Sequence, residues 1–145
     1  MSRYGIAAEI IRLVFARAQH RCEHCQSPED YCPDPFSIEH IHPQALGGTH
    51  DADNLALSCQ GCNGFKGARI VAFDAVSERE VALFHPGRDV WIEHFGWSED
   101  RLTLRGLTPT GRVTIELLRL NRLGVRNLRA GLLAMERHPA QNDIR

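Results

Sequence analysis

Residues 36–66 read FSIEHIHPQALGGTHDADNLALSCQGCNGFK, and this stretch decides how the chain folds. Two short apolar segments, residues 36–42 and 55–57, flank a loop that contains Gly47 and Gly48. Segments rich in β-branched and aromatic residues favour strands, and a Gly-Gly pair favours a turn. The order strand, loop, strand and a short helix around residues 63–66 is therefore expected.

Four of the five cysteines stand in two Cys-x-x-Cys pairs, which are Cys22 with Cys25 and Cys59 with Cys62. Two such pairs suit a tetrahedral zinc site with four thiolate ligands. We expect this zinc to be structural, because a strand-loop-strand-helix unit is too small to be held together by burial alone. The alternative, a redox-active Cys-x-x-Cys, gives no reason for a second pair. Cys32 is expected to be a bystander thiol.

The size and composition of the chain are those of a folded globular protein. It has 145 residues, of which 43% are hydrophobic and 24% are charged, so the disordered class is excluded. The sequence has no recognisable signal peptide and no run of membrane-spanning length. We therefore expect a cytoplasmic protein without membrane association, whose thiols are in a reducing compartment where paired cysteines more often bind metal.

The net charge of −1 hides an asymmetry between the two parts of the chain. Residues 101–145 contain nine arginines and three acidic residues, a sum of +6, so residues 1–100 sum to −7. Basic residues supply most of the non-specific affinity of proteins for nucleic acid. The C-terminal part is therefore the expected DNA-binding half.

Other segments show weaker patterns. Apolar residues at positions 6, 7, 10, 11, 14 and 15 predict a helix over residues 6–19. Residues 90–95 and 101–105 are predicted to form a hairpin, followed by a helix from Leu107 to about Asn121 and another over residues 125–136, with a break at Gly124. We expect residues 1–72 to form the core and residues 73–145 an extension packed on it as one domain.

The order and spacing of Glu39-His40, Asn54 and Asn63, together with both cysteine pairs, resemble the HNH endonuclease family of the zinc-knuckle type. Glu39 stands where the family usually has Asp. Asn63 stands where His is common, a variant also found in the HNH domains of RNA-guided DNA nucleases. The tail, with its Trp/His/Phe segment and its Leu-Thr-Pro-Thr-Gly-Arg helix start, is similar to that of short bacterial HNH proteins.

This resemblance implies an α+β fold, in which a ββα-metal (His-Me finger) core is stapled by the zinc site and is joined by an N-terminal helix and a C-terminal hairpin with helices. It also implies a metal-dependent DNA endonuclease or nickase. His40 would be the general base, Glu39 and Asn63 would hold one Mg²⁺ or Mn²⁺ through oxygen, and Asn54 would fix the loop and help orient the imidazole.

Strand geometry sets a condition on this assignment. Neighbours on a strand point to opposite faces, so Glu39 and His40 converge only where the strand is twisted or distorted. Strict alternation would place His42 on the same face as His40, which makes His42 a reserve candidate for the base or a ligand. His50, in the Gly-Gly loop, is expected to be a solvated loop residue, and no role is assigned to His94.

The expected partner is DNA, most simply double-stranded, and the sequence leaves a monomer or a dimer open. The candidate DNA contacts are Lys66, Arg69, Arg119, Arg122, Arg126 and Arg129. The last four recur at intervals of three, four and three, which would form one stripe on a continuous helix. A catalytically inactive zinc-stapled DNA-binding module and a ribonuclease are the alternatives, and the intact acid, histidine and asparagines argue against the inactive module.

Overall fold

A computed structural model describes residues 5–140 and shows an α+β protein, as predicted. Five α-helices and six short strands occur in this range, and the strands pair into three two-stranded antiparallel sheets. None of the described helices is both long and apolar enough to cross a membrane. The chain divides into two compact units, one reaching to Ala68 and including His85–Arg88, the other comprising Arg69–Phe84 and the chain from Asp89 onward. The expected boundary at residue 72 stays a prediction.

The first unit begins with helix α1, Ala8–Ala18. Its apolar stripe is buried at Val14 and Ala18, and the helix ends where Gln19 takes the left-handed conformation with φ of 54°. Helix α1 contacts the second strand of the central hairpin. The stripe predicted from the sequence is therefore the face that packs on this hairpin.

The hairpin consists of β1, Ser37–His40, and β2, Leu55–Ser58, and it is followed by helix α2, Gln60–Lys66. The two strands are antiparallel, with Ser37 opposite Ser58 and His40 opposite Leu55. Strand β2 is buried throughout, and Ile38 of β1 is buried too. The predicted order of strand, loop, strand and helix is observed.

The segment His85–Arg88 belongs to this first unit although it lies far along the chain. A Cβ atom added at Gly87 would lie 1.8 Å from the carbonyl oxygen of Asp53. Only glycine permits such an approach of two backbones. The returning segment is therefore packed directly on the residue that precedes Asn54.

The second unit contains two hairpins and three helices, which are β3 (Val71–Asp74), β4 (Arg79–Ala82), α3 (Trp91–His94), β5 (Phe95–Trp97), β6 (Leu104–Gly106), α4 (Pro109–Leu118) and α5 (Leu123–Ala134). The β3–β4 hairpin was not predicted. Helix α4 contacts both β3 and β6. Thr108 caps it by accepting a hydrogen bond from the Gly111 amide at 3.0 Å, and Pro109 occupies its first turn as expected.

An ion pair fixes α4 to the β3–β4 hairpin. Arg112 donates to both carboxylate oxygens of Asp74, at 3.1 and 2.9 Å, and the Ser77 hydroxyl donates to the same carboxylate at 2.6 Å. The hydrogen bonds from Arg112 and Ser77 hold the pKa of Asp74 well below its usual range. The carboxylate is therefore ionised wherever the unit is folded near neutral pH.

The predicted strand over residues 90–95 is wrong in its first part. Residues Trp91–His94 form a helical turn, and the strand begins only at Phe95. A helical turn places residues four apart on one face, and here it brings the buried Trp91 and Phe95 rings to 5.0 Å between centroids. Packing of this pair overrides the strand propensity of the segment.

The predicted helix break at Gly124 is also wrong. Helix α4 ends at Leu118, Arg119 takes the left-handed conformation with φ of 50°, and Gly124 lies within the first turn of α5. Arg122 precedes α5 as its N-cap residue. The four arginines from 119 to 129 therefore do not form one stripe on a continuous helix.

Candidate active site and metal centre

The two cysteine pairs converge on one point in the first unit. The sulfur atoms of Cys22, Cys25, Cys59 and Cys62 are buried and lie within 4.8 Å of one another. The Sγ atoms of Cys25 and Cys59 are 3.8 Å apart, and a tetrahedral zinc site with bonds of about 2.3 Å has sulfur–sulfur edges of about 3.8 Å. The four residues therefore fit one zinc ion, and no other cluster of this kind occurs among residues 5–140.

The four thiols interact strongly with one another. All are free cysteines rather than disulfides. Burial raises the pKa of the Cys22 thiol, whereas hydrogen bonds from Cys22 and the other two sulfurs lower that of Cys25. Thiolates in a buried cluster carry negative charge, and burial of that charge is unfavourable unless a cation lies beside it. A redox-active Cys-x-x-Cys would not require a second cysteine pair beside it. The convergence of the two pairs therefore favours metal binding.

Glu23 lies between Cys22 and Cys25 and fixes this first cysteine pair to the β1–β2 hairpin. Its carboxylate accepts hydrogen bonds from the Leu57 amide at 2.9 Å and from two nitrogens of Arg17, each at 2.8 Å. Arg17 also donates to the carbonyl oxygens of Ala52 at 2.8 Å and Leu55 at 2.5 Å. These contacts of Arg17 were not predicted from the sequence, because its backbone acceptors are 35 and 38 residues away.

His24 is the other residue between the first two cysteines, and it reaches β1. Its Nε2 atom donates to Oε1 of Glu39 at 2.5 Å, and both side chains are buried. Burial opposes the charged imidazole, yet the Glu39 carboxylate raises the pKa of His24 above its ordinary value. Glu39 is only 6% exposed, and its Oε2 atom makes no hydrogen bond to the described residues.

His40 faces a different partner from Glu39, as alternation along a strand requires. Its Nε2 atom lies 2.9 Å from Nδ1 of His50, and the two rings are 5.0 Å apart between centroids. Burial and the nearby His50 lower the pKa of His40, against an opposing effect of Glu39. The neutral imidazole is therefore favoured. His50, expected to be a solvated loop residue, is half-buried instead.

Asn54 closes the loop between the two strands. Its Oδ1 accepts from the His42 amide at 2.9 Å, and its Nδ2 donates to the carbonyl oxygens of His42 at 3.1 Å and Thr49 at 2.9 Å. The loop can fold this tightly because a Cβ atom at Gly48 would lie 1.7 Å from the His42 carbonyl oxygen. This geometry suits the predicted loop-fixing role of Asn54.

Two residues of α2 were predicted to act at the site, and the structure treats them differently. Asn63 is half-buried, and its side-chain amide makes no hydrogen bond to the described residues. Lys66 is only 2% exposed, and its Nζ atom donates to the carbonyl oxygen of Ile41 at 3.1 Å. The prediction of Lys66 as a DNA contact is therefore wrong, because its ammonium group is enclosed and anchors the chain that follows β1.

The predicted DNA contacts in the second unit also divide. Arg129 is 3% exposed, and it donates to the carbonyl oxygens of Leu102 and Leu120 and lies over the Trp97 ring at 4.9 Å. It is a core residue of this unit, so its prediction as a DNA contact is wrong. Arg122 is half-buried and donates to the carbonyl oxygen of Leu118, near the end of α4. Exposed guanidinium groups remain at Arg69, Arg119 and Arg126, for which DNA contact stays a prediction.

The remaining histidines of interest have local partners. His42 donates from Nε2 to the carbonyl oxygen of Leu46 at 3.0 Å. Nδ1 of His94 lies 2.7 Å from the hydroxyl oxygen of Thr108, which caps α4. His94 is therefore part of the packing of the second unit, and His42 remains the reserve candidate in the first.

Comparison with known proteins identifies the segment that carries this site. Residues 22–69 match a family model described as HNH endonuclease. A search of curated proteins and a search of solved structures each found no significant match. The matched segment begins at Cys22 and includes both cysteine pairs, the β1–β2 hairpin and α2. Residues 22–69 are therefore similar to the domains of the HNH endonuclease family.

Proposed function

We propose that the HNH domain is a metal-dependent endonuclease that hydrolyses phosphodiester bonds in DNA, with His40 as its general base. The observation that carries this proposal is the placement of His40 at the end of β1, half-buried, with a lowered pKa and held by a loop that Asn54 clamps. A neutral imidazole in a fixed orientation is what a general base near neutral pH requires.

In the proposed reaction, His40 takes a proton from a water molecule as its oxygen attacks the phosphorus atom. The bond from phosphorus to the leaving sugar oxygen breaks, and that oxygen takes up a proton from a solvent water molecule, while His40 later returns its proton to solvent. One site of this kind cuts one strand, so nicking is the elementary activity and a double-strand break requires two events. Residues 1–72 contain six basic and eight acidic residues, a sum of −2, so the core does not attract DNA by its net charge.

A divalent cation would neutralise charge on the scissile phosphate and the leaving oxygen. The residues that would hold it are Glu39 and Asn63. His24 occupies Oε1 of Glu39, so Oε2 is the oxygen left for a ligand, and the Asn63 amide also has an oxygen to offer. Two oxygen donors fit Mg²⁺ or Mn²⁺, which prefer oxygen to the imidazole and thiolate ligands of zinc.

The donor types lead to a prediction about metal use. We expect nicking of supercoiled plasmid to be supported by Mg²⁺ or Mn²⁺ better than by Zn²⁺, and to be lost in Asn63→Ala. Asn63→His should keep activity and extend it to softer ions, because imidazole is a ligand that those ions prefer. Undiminished nicking in excess EDTA would contradict the metal requirement.

The charge asymmetry leads to a prediction about DNA affinity. We expect the double variant Arg119→Gln, Arg126→Gln to bind duplex DNA more weakly at all sequences. The slope of log affinity against log salt should flatten by roughly 0.9 for each phosphate contact that is lost. Fluorescence anisotropy at several salt concentrations measures both quantities.

The matched control for this experiment is Arg129→Gln. Because Arg129 is enclosed and hydrogen-bonded, its replacement should lower the melting temperature and leave the salt slope of the folded protein unchanged. If the double variant at Arg119 and Arg126 has the DNA affinity and salt slope of the wild type, the C-terminal unit does not hold DNA through these arginines.

A further inference from the structure

We infer that His50 is a positioning residue for His40. This inference rests on the proposed function, in which His40 is the general base. His50 lies ten positions after His40, in a loop where the sequence pattern indicates only turn residues. The structure nevertheless places its Nδ1 atom 2.9 Å from Nε2 of His40. In this role His50 acts on the reaction through the base.

The hydrogen bond determines which nitrogen of His40 accepts the proton. Because Nε2 of His40 is engaged by His50, Nδ1 is the nitrogen left for the attacking water. Nδ1 can accept only if the ring hydrogen of neutral His40 is on Nε2, where it is donated to Nδ1 of His50. The hydrogen of neutral His50 must then be on its own Nε2. With His40 as the base, the contact thus requires one tautomer of each ring.

The same bond persists after proton transfer. When His40 has taken the proton from water, it carries hydrogens on both nitrogens and still donates from Nε2 to the lone pair of His50. A hydrogen bond from a charged donor is stronger than one from a neutral donor. The contact can therefore hold the ring of His40 in the same orientation before and after proton transfer.

The loop places His50 through Asn54. The Asn54 amide donates to the carbonyl oxygen of Thr49, the residue directly before His50, and also binds both backbone groups of His42. Close approach at Gly48 makes this closure possible. Asn54 thus acts on the base in two steps, by fixing the Thr49 carbonyl and thereby the backbone from which His50 reaches His40.

The test compares His50→Ala with His50→Asn in the full chain. The amide oxygen of asparagine can stand near the place of Nδ1 of histidine and accept the same hydrogen bond, whereas alanine cannot. We expect His50→Ala to lower kcat for plasmid nicking by about 10–100-fold, by analogy with the loss seen when the hydrogen-bond partner of a metal-bound histidine is removed, with KM nearly unchanged. His50→Asn should recover most of the lost rate.

A spectroscopic readout keeps the test independent of activity. In ¹⁵N-histidine NMR spectra of the wild type, His40 should be in the Nε2–H form, and His50→Ala should shift it toward a mixture of tautomers. A wild-type rate and an unchanged His40 tautomer in folded His50→Ala would overturn the inference while leaving the proposed function intact. Full activity in His40→Ala would instead overturn the proposed function itself.

Discussion

Replacing His40 with alanine is expected to lower the rate of DNA cleavage by a factor of about 10²–10⁴, the range that a positioned general base contributes. Folding and DNA affinity should be retained, because His40 is half-buried at a strand end and its hydrogen bond goes to a loop side chain. Plasmid nicking, a melting curve and DNA binding measured on the same preparation separate these effects.

The control for this variant is His42→Ala. His42 is close in sequence, but its imidazole donates to the carbonyl oxygen of Leu46 and not to His40. We expect His42→Ala to retain most of the activity. An active His40→Ala together with an inactive His42→Ala would move the base to His42.

Replacing Cys59 with serine is expected to unfold the HNH domain. One zinc per chain should be held by Cys22, Cys25, Cys59 and Cys62, and structural zinc contributes about 10–16 kcal/mol at neutral pH. The free energy of unfolding of whole domains is only about 5–15 kcal/mol. A domain that no longer binds zinc tightly therefore keeps too little free energy of unfolding to stay folded. Circular dichroism and elemental analysis of the purified variant measure both consequences.

Cys32→Ser is the matched control for this loss. The Cys32 thiol is half-buried, lies outside the cluster and donates to the Pro28 carbonyl oxygen at 3.4 Å. It should bind one zinc and melt like the wild type. A zinc-free wild type purified without chelator, or a Cys59→Ser variant with wild-type melting, would show that the cluster is not a structural zinc site.

The sequence predicted the hairpin core because there every local signal agrees. Pro43, the Gly-Gly turn and the two cysteine pairs each mark the boundary of an element in this stretch. Agreement of propensity, turn chemistry and metal ligands is the condition under which a sequence specifies a local structure. The β3–β4 hairpin has no comparable signal, since its turn lacks glycine and proline and Phe73 remains exposed.

The errors at individual side chains have one physical origin. Lys66 and Arg129 are enclosed and donate to backbone carbonyl oxygens 25 and 9 residues away, and a charge type alone does not indicate such acceptors. Charged groups are rarely buried unless they are paired or hydrogen-bonded, so the sequence favoured exposure for both. The prediction for His50 was wrong for the converse reason. It was expected to be a solvated loop residue, and its imidazole instead forms a hydrogen bond with His40 of β1.

The contacts of Glu23 and His24 would link the proposed zinc site to the proposed Mg²⁺ site. Both residues stand between Cys22 and Cys25. Glu23 accepts a hydrogen bond from the Leu57 amide, and His24 donates one to the Glu39 carboxylate. A chelator is therefore expected to abolish the nuclease activity in two phases. The fast phase removes an exchangeable ion and is reversed by added Mg²⁺. The slow phase extracts the thiolate-bound ion and frees Glu39 from His24, after which Mg²⁺ alone cannot restore activity and the chain must refold with zinc.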